Sequence, residues 1–272
     1  MKRKSYTSLS IGSTLATLVA ISWLTTPTVI AQTAESDRWF GGSATYDRCL
    51  GAIEEDALQA FDSALAWQDQ GGGPPAQHCS ALALLALSQY GDAADRLDAI
   101  AQNPNNGLDA LLRAQILIQA ANAWIMEGYP AQGIASLDAA IQLDVPSGGI
   151  LAQVYFDRSR AHALNRQWSE AVEDATRALD FAPGAKDALT LRATSHRLLG
   201  NTDDALADIA QILEDDADYA PALIERGVLH LLAGDEDAAR SDWIHVLQID
   251  VEEDLKIAAR EYLYELDFPG GL

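Results

Sequence analysis

The segment QGGGPPAQHC, from Gln70 to Cys79, contains residue types that three kinds of chemistry use. A glycine-rich loop can cradle a phosphate, because glycine lets backbone amides approach an anion closely. His78 and Cys79 are metal-ligand types, and a cysteine is also a redox group. The segment lacks the lysine that follows a phosphate-binding loop and the strand that precedes one, and the His-Cys pair has no obvious companion ligands. We therefore expect a structural joint between two helices.

The first thirty-one residues have the composition of a secretory signal peptide. Three cations at residues 2–4 precede a mostly apolar stretch over residues 9–24, and small residues lead up to Ala31. This pattern predicts cleavage after Ala31, which leaves 32–45 as a flexible start of the mature chain. The alternative is an uncleaved anchor, although the stretch is short and rich in Ser and Thr for crossing ~30 Å of hydrocarbon. We expect a periplasmic or secreted protein with no membrane span after cleavage.

The chain is strongly acidic. Its net charge is −22, and removal of residues 1–31, which hold three cations and no acid, lowers it to −25. Binding a nucleic acid requires a basic face, so the charge argues against nucleic-acid partners. A solvated acidic surface is one interpretation of this charge, and a basic protein partner is the other.

The mature chain keeps two cysteines, Cys49 and Cys79. An even pair in an exported protein suggests a disulfide, and two unpaired thiols are the alternative. One continuous helix before the glycine-rich loop would place Cys49 ~30 Å from it, whereas a disulfide needs Cα atoms within ~7 Å. We therefore predict a helix break at residues 54–56, with Asp56 capping a second helix from Ala57, so that the first helix folds back towards Cys79.

Three consecutive segments of the chain repeat with a period of 34 residues. They begin at Leu151, Ala185 and Tyr219, and no gap is needed to align them. Each segment has the pattern of two amphipathic helices joined by a short turn, with a small residue in the first helix and an alanine in the second. In an antiparallel hairpin these small residues would meet and allow close packing. The aligned columns are Arg158/Arg192/Arg226, Ser159/Ala193/Gly227, His162/His196/His230, Ala171/Ala205/Ala239 and Asp174/Asp208/Asp242.

This pattern resembles the tetratricopeptide repeat (TPR) family, as found in exported bacterial proteins. Gly200-Asn201 and Gly234-Asp235 match the turn of that repeat, and Pro183 matches its terminal proline. Two departures are Arg166 in place of a turn glycine and histidine in a column where the family often has tyrosine. The resemblance implies an all-α, right-handed superhelical solenoid of about five helix-turn-helix repeats with capping helices at both ends.

The resemblance extends over most of the mature chain. Two weaker repeats precede the three clear ones, with turns expected at Gly91-Asp92 and Gly128-Tyr129. The segment Pro146 to Gly149 interrupts the 34-residue spacing. The expected organisation is capping helices and the Gly/Pro loop at 46–75, a TPR array at 76–250, and a capping helix with a tail at 251–272.

The repeated columns predict structural roles. Each column arginine and the aspartate of its repeat lie symmetrically about the turn, so the pairs Arg158–Asp174, Arg192–Asp208 and Arg226–Asp242 are expected to form ion pairs across their hairpins. The column histidines are metal-ligand types. Equivalent atoms of stacked repeats lie on the order of 10 Å apart, however, and zinc needs nitrogens at ~2.0–2.1 Å, so we expect these histidines to fill packing positions and predict no metal site.

No sequence motif indicates catalysis. The chain has no nucleophile elbow, HExxH motif, Walker loop or dinucleotide fingerprint. We therefore predict no catalytic residues, no enzyme activity and no cofactor.

The resemblance also implies where a ligand binds. In the TPR family the first helix of each repeat lines a concave face on which peptides often lie. Arg160 and Arg197 could hold a partner carboxylate there, or pair with local acids such as Asp157 and Asp187. The ligand groove implied by the resemblance comprises Asn122, Phe156, Arg160, Thr194, Arg197 and Val228.

These features together predict a non-catalytic periplasmic scaffold or adaptor that binds a segment of an envelope or secreted protein in this groove. The alternative is an envelope factor that binds a small molecule or a metal. Fold alone does not select the partner, and the sequence does not indicate an oligomeric state.

The cleavage prediction has a direct test. N-terminal sequencing and intact-mass measurement of the protein expressed in a bacterial host should find a chain beginning at Gln32, because the small residues before that position suit signal peptidase. The variant Ala31→Tyr should keep its leader. A wild-type chain that still begins at Met1 would contradict the prediction.

Overall fold

A computed structural model describes residues 43–145 and 148–268. The predicted signal peptide, most of the predicted mature N-terminus and residues 146–147 and 269–272 lie outside the described residues. Across the described ranges the chain is helical and has no strand. Within those ranges, none of the helices has the length and apolar character that crossing a bilayer requires.

Thirteen α-helices and one short 3₁₀ turn, Pro104–Asn106, make up the described chain. The α-helices are α1 (Ala44–Glu55), α2 (Ala57–Asp69), α3 (Gly73–Ala86), α4 (Tyr90–Gln102), α5 (Ala110–Met126), α6 (Pro130–Ile141), α7 (Gly148–Leu164), α8 (Trp168–Phe181), α9 (Lys186–Leu198), α10 (Thr202–Asp215), α11 (Ala220–Leu232), α12 (Glu236–Gln248) and α13 (Glu253–Asp267).

The helices form two compact units, residues 43–183 and 184–268. In the first unit α3 packs with α4, α5 with α6 and α7 with α8; in the second, α9 packs with α10 and α11 with α12. Five helix pairs therefore follow the glycine-rich loop, and α13 packs beside α12 after the last pair. The predicted all-α class and repeat pattern are confirmed.

A residue with positive φ ends the first helix of each pair. Gly128, Gly200 and Gly234 occupy this position with φ of 89°, 82° and 83°. Glycine suits it because a side chain disfavours the left-handed region. Arg166 takes the same conformation at φ 59°, as expected for the residue that replaces the turn glycine.

The turn predicted for the first repeat was wrong. The turn residue is Ser88, with φ 58°, and α4 has already begun at Tyr90. Gly91 therefore lies in the first turn of α4, where its amide donates a hydrogen bond of 3.0 Å to the Glu127 carboxylate. Glycine is the residue type that favours this conformation, whereas the chain places a serine in it.

Small residues let the two helices of a pair approach closely. A Cβ atom added at Gly227 would overlap the indole of Trp243 on α12. The Ser159 hydroxyl on α7 donates a hydrogen bond of 2.7 Å to the Ala171 carbonyl on α8. The column of small residues thus faces the second helix of its own repeat, which is why larger side chains are excluded from it.

The N-terminal helices have the predicted break. α1 ends at Glu55, and Asp56 caps α2 by accepting a hydrogen bond of 3.0 Å from the Gln59 amide. α1 packs against α3. The structure joins Cys49 to Cys79 in a disulfide with a Cα–Cα distance of 6.3 Å. The glycine-rich loop therefore leads into α3, whose first turn contains Pro74 and Pro75.

The disulfide can be tested by thiol titration. Protein unfolded without reductant should show no free thiol, and reduced protein should show two. The double variant Cys49→Ser/Cys79→Ser should lose about 3–4 kcal/mol of unfolding free energy, because the bond closes a separation of 30 residues. Two reactive thiols in unreduced protein would contradict the pairing.

Candidate interaction surface

Buried polar side chains connect the first helices of neighbouring repeats. In the first unit, the Tyr46 hydroxyl lies 2.6 Å from His78 Nδ1, and His78 Nε2 lies 2.8 Å from Gln119 Oε1. All three side chains are buried. Since the amide oxygen of Gln119 only accepts, the imidazole proton is on Nε2 and the Tyr46 hydroxyl donates to Nδ1. This chain of hydrogen bonds joins α1 to α3 and α3 to α5.

Burial controls the protonation of His78. Removal from water disfavours the charged imidazolium and lowers the pKa of His78 to about 4, although the hydrogen bond to Gln119 acts in the opposite direction. Burial likewise raises the pKa of the Tyr46 hydroxyl. Both groups therefore stay neutral at physiological pH and serve as hydrogen-bonding links.

A second link joins α5 to α7. Arg160 donates from Nη2 to the Asn122 side-chain oxygen at 2.7 Å and from Nη1 to Asp157 at 3.0 Å. Asp157 is fully buried and also accepts from Gln153 at 2.7 Å. Burial raises the pKa of Asp157, and the Arg160 charge opposes that rise. The Nε–H of Arg160 is buried and has no acceptor among the described residues.

The second unit has a corresponding link between α9 and α11. Arg197 Nε contacts Glu225 Oε1, and Nη2 lies 3.4 Å from Glu225 Oε2. The two side chains are 4% and 5% exposed. Loss of either partner would leave an unpaired charge in a site that water scarcely reaches, which is more costly than loss of an exposed pair.

These links alter the interpretation of the expected ligand groove. Arg160 and Arg197 are not available to a partner carboxylate, because each already binds an acid of its own unit. Arg160 binds Asp157, which was one of the expected local partners. Arg197 binds Glu225 and not the expected Asp187. Asp187 instead accepts a hydrogen bond from the Tyr219 hydroxyl. Of the six groove residues, Phe156 alone is partly exposed; the buried ones are Asn122, Arg160, Thr194, Arg197 and Val228.

An accessible surface remains on the first helices of the first unit. Phe156 and Gln153 are partly exposed on α7, and Gln115 is partly exposed on α5. Phe156 lies one turn from Gln153 and from Arg160, so the three share one helix face. We call Gln115, Gln153 and Phe156 the first-helix surface. It combines one aromatic ring with two side-chain amides.

The column arginines and aspartates form three bidentate pairs. Arg158 donates twice to Asp174 at 2.7 Å, and the pairs Arg192–Asp208 and Arg226–Asp242 repeat this geometry at 2.6–2.9 Å. Each pair crosses from the first to the second helix of one repeat. The pairs therefore fix the hairpins and do not line the first-helix surface.

The column histidines lie beside acids of their own repeats. The Nε2 atom of His162 lies 3.5 Å from an Asp174 carboxylate oxygen, and that of His230 lies 3.8 Å from an Asp242 carboxylate oxygen. The Nδ1 atom of His196 lies 4.0 Å from an Asp204 carboxylate oxygen. Throughout residues 43–145 and 148–268, no group of three His, Cys, Asp or Glu side chains is placed to hold a metal ion.

One partly buried acid had no distinguishing signal in the sequence. Asp98 on α4 accepts hydrogen bonds of 2.8 Å from the Trp124 indole and from the Ser136 hydroxyl, and it thereby joins α4 to α5 and α6. Burial raises the pKa of this carboxyl. Its partners come from the following repeat, so no pattern within one repeat identifies it.

Comparison with known proteins assigns the fold. No protein-family model matches the chain, and no curated protein matches it in sequence. Among solved structures, a TPR protein from Parabacteroides merdae aligns with a TM-score of 0.55 and 13% identity over 91% of this chain and 92% of its own. A thermophilic TPR protein from Thermus thermophilus aligns with a TM-score of 0.53 and 20% identity over 70% of this chain and 99% of its own.

A third similar structure is YrrB, described as a TPR protein with an unusual peptide-binding site. It aligns with a TM-score of 0.52 and 16% identity over 74% of this chain and 98% of its own. Together with the helix pairs, their left-handed turns and their small-residue contacts, these alignments show that the chain has the TPR fold.

The buried histidine predicts a loss of stability in acid. His78 has a folded pKa of about 4 against an ordinary value of 6.5, so the unfolded chain binds a proton that the folded chain excludes. Stability should fall as pH drops from 6.5 towards about 4, by up to about 3 kcal/mol from this group. Urea unfolding of wild type and of His78→Gln across this range measures the difference.

The difference between the two proteins isolates His78 from the many carboxyl groups, which titrate in both. As pH falls, the unfolding free energy of the wild type should decrease more than that of the His78→Gln variant. A difference in unfolding free energy that stays constant with pH would contradict the assignment.

Proposed function

We propose that this protein is a non-catalytic protein–protein interaction scaffold that binds an extended protein segment on its first-helix surface. The observation that carries the proposal is the pair of partly exposed side chains, Phe156 and Gln153, on one face of α7. A peptide supplies what this surface lacks. Its side chains can cover the aromatic ring, and its carbonyl groups can accept from the amides of Gln115 and Gln153.

The TPR fold supports an interaction role by analogy. YrrB shares this fold and is described as having a peptide-binding site. Fold similarity at this identity does not transfer a ligand, so the binding residues proposed for this chain rest on its own side chains.

The partner's charge follows from that of this chain. With a net charge of −25 after cleavage, the protein attracts basic segments and repels acidic ones at a distance. We therefore propose a partner segment with excess Lys or Arg, whose association slows as salt concentration rises. The same charge disfavours nucleic acid.

We also propose that the scaffold acts outside the cytoplasm, in the periplasm or as a secreted protein. Two features support this location: the signal-like residues 1–31 and the pairing of the chain's two cysteines, which persists in oxidising compartments. The partner would then be an envelope or secreted protein. The metal-binding alternative has no three-ligand cluster in the described part of the chain to support it.

Site-specific photo-crosslinking tests the proposed surface. A photoreactive phenylalanine analogue at Phe156 should crosslink a discrete partner in cells, because this ring would lie against the bound segment. The matched control is the same analogue at Leu206, an exposed apolar residue on the second helix α10. Crosslinks of equal yield at both positions, or at Leu206 alone, would overturn binding at the first-helix surface.

A further inference from the structure

The last helix continues the repeat pattern in an unexpected way. Arg260 stands 34 residues after Arg226 and extends the arginine column into α13. Glu261 then falls in the small-residue column, 34 residues after Gly227. Ile257 likewise corresponds to Leu223, a buried residue of α11. The sequence of α13 is therefore that of a first helix of a repeat, with a glutamate where a small residue should be.

The face that carries these residues is covered in the preceding repeat. On α11, Gly227 meets Trp243 and Arg226 binds Asp242, so the second helix α12 lies over it. On α13 the equivalent face is open: Ile257 is 42% exposed, Tyr264 45% and Phe268 59%. Among the described residues no helix follows α13 to cover it.

The opposite face of α13 is already occupied. Ala259 and Tyr262 are buried, and the Tyr262 ring stacks on Trp243 at 5.0 Å between centroids. The open face is thus a second side of the helix, separate from its attachment to α12. In residue order it presents Glu253, the apolar Ile257, the adjacent Arg260 and Glu261, and the apolar Tyr264 and Phe268, whose ring centroids are 5.1 Å apart.

Glu261 determines what can cover this face. The second helix of a repeat packs closely against a small residue, and a glutamate there prevents that approach. The covering surface must instead offer a cation to Glu261, an acid to Arg260, and apolar groups to Ile257 and Tyr264. The same face of a second α13 helix, placed antiparallel to the first, offers this combination.

We propose that this face pairs with the same face of a second copy of the chain. In an antiparallel pairing of two α13 helices about a two-fold axis midway between residues 260 and 261, Arg260 faces the partner's Glu261 and Ile257 faces the partner's Tyr264. Each contact occurs twice, as an isologous interface requires. Between residues 257 and 264 the order on the open face is self-complementary in charge and in polarity, and Phe268 falls opposite the partner's Glu253 beyond that segment.

The change needed in the single chain is small. Arg260 binds Glu253 at 2.7 Å, and the two side chains are 52% and 66% exposed. An exposed pair of this kind contributes little stability, so its exchange for a pair across the dimer costs little. One helix face per subunit makes a small interface, and two chains of net charge −25 repel one another, so we expect an affinity no tighter than the micromolar range and a dimer that strengthens as salt screens this repulsion.

A charge exchange tests the pairing. Sedimentation velocity of the mature wild-type chain at about 1–500 µM, a range that brackets micromolar affinity, should show a concentration-dependent dimer. Arg260→Glu and Glu261→Arg should each weaken dimerisation at least about tenfold, because each places like charges opposite one another twice. The double variant Arg260→Glu/Glu261→Arg should restore it, since the opposite charges again face each other with their positions exchanged.

The control is Arg177→Glu, which breaks an exposed ion pair with Glu173 on α8 and should leave the dimer unchanged. Circular dichroism of every variant verifies the fold, which these exposed positions should not disturb. A wild-type chain that is monomeric throughout the range overturns the proposal. So does a dimer that survives both single variants, or a correctly folded double variant that fails to recover.

Discussion

Close contact between the two helices of each pair is the constraint on which the rest of the structure depends. It requires a small residue on the first helix, as Gly227 shows where it meets Trp243. With the helices at this distance, an arginine and an aspartate 16 residues apart can bind in bidentate geometry across the hairpin. The left-handed residue between the helices then sets the reversal of the chain, even where that residue is Arg166.

Contacts between repeats follow a different principle. Within each unit, polar side chains on neighbouring first helices bind one another out of water: His78 with Gln119, Asn122 with Arg160, and Arg197 with Glu225. Such pairs specify one spacing and alignment, because any other arrangement leaves a buried polar group unsatisfied. They also occupy the groups that a ligand groove would otherwise use. The proposed binding surface is therefore confined to side chains that these links leave accessible.

The helices at the two ends of the described chain are held in different ways. α1 is joined to α3 by the Cys49–Cys79 disulfide and by the bond between Tyr46 and His78. α13 is held by apolar packing of one face and by the Arg240–Asp267 ion pair with α12, and it leaves an apolar, charge-paired face open. A terminal helix of a repeat array normally presents a polar outer face. That departure gives the proposed self-pairing its physical basis.

The sequence by itself determined the contents of each repeat. The period, the small-residue contacts, the break before Asp56 and the turns that end in a glycine all depend on residues close along the chain, and so their spacing predicts them; the turn at Ser88, which has no glycine, was missed. Only the tertiary structure decided how repeats meet: that Arg197 binds Glu225, that Asp98 holds Trp124 and Ser136, and that most expected groove residues are buried. The reason is that contacts between repeats depend on the spacing and rotation of neighbouring first helices. Those quantities arise from the packing of many side chains at once and leave no periodic signature in a single repeat.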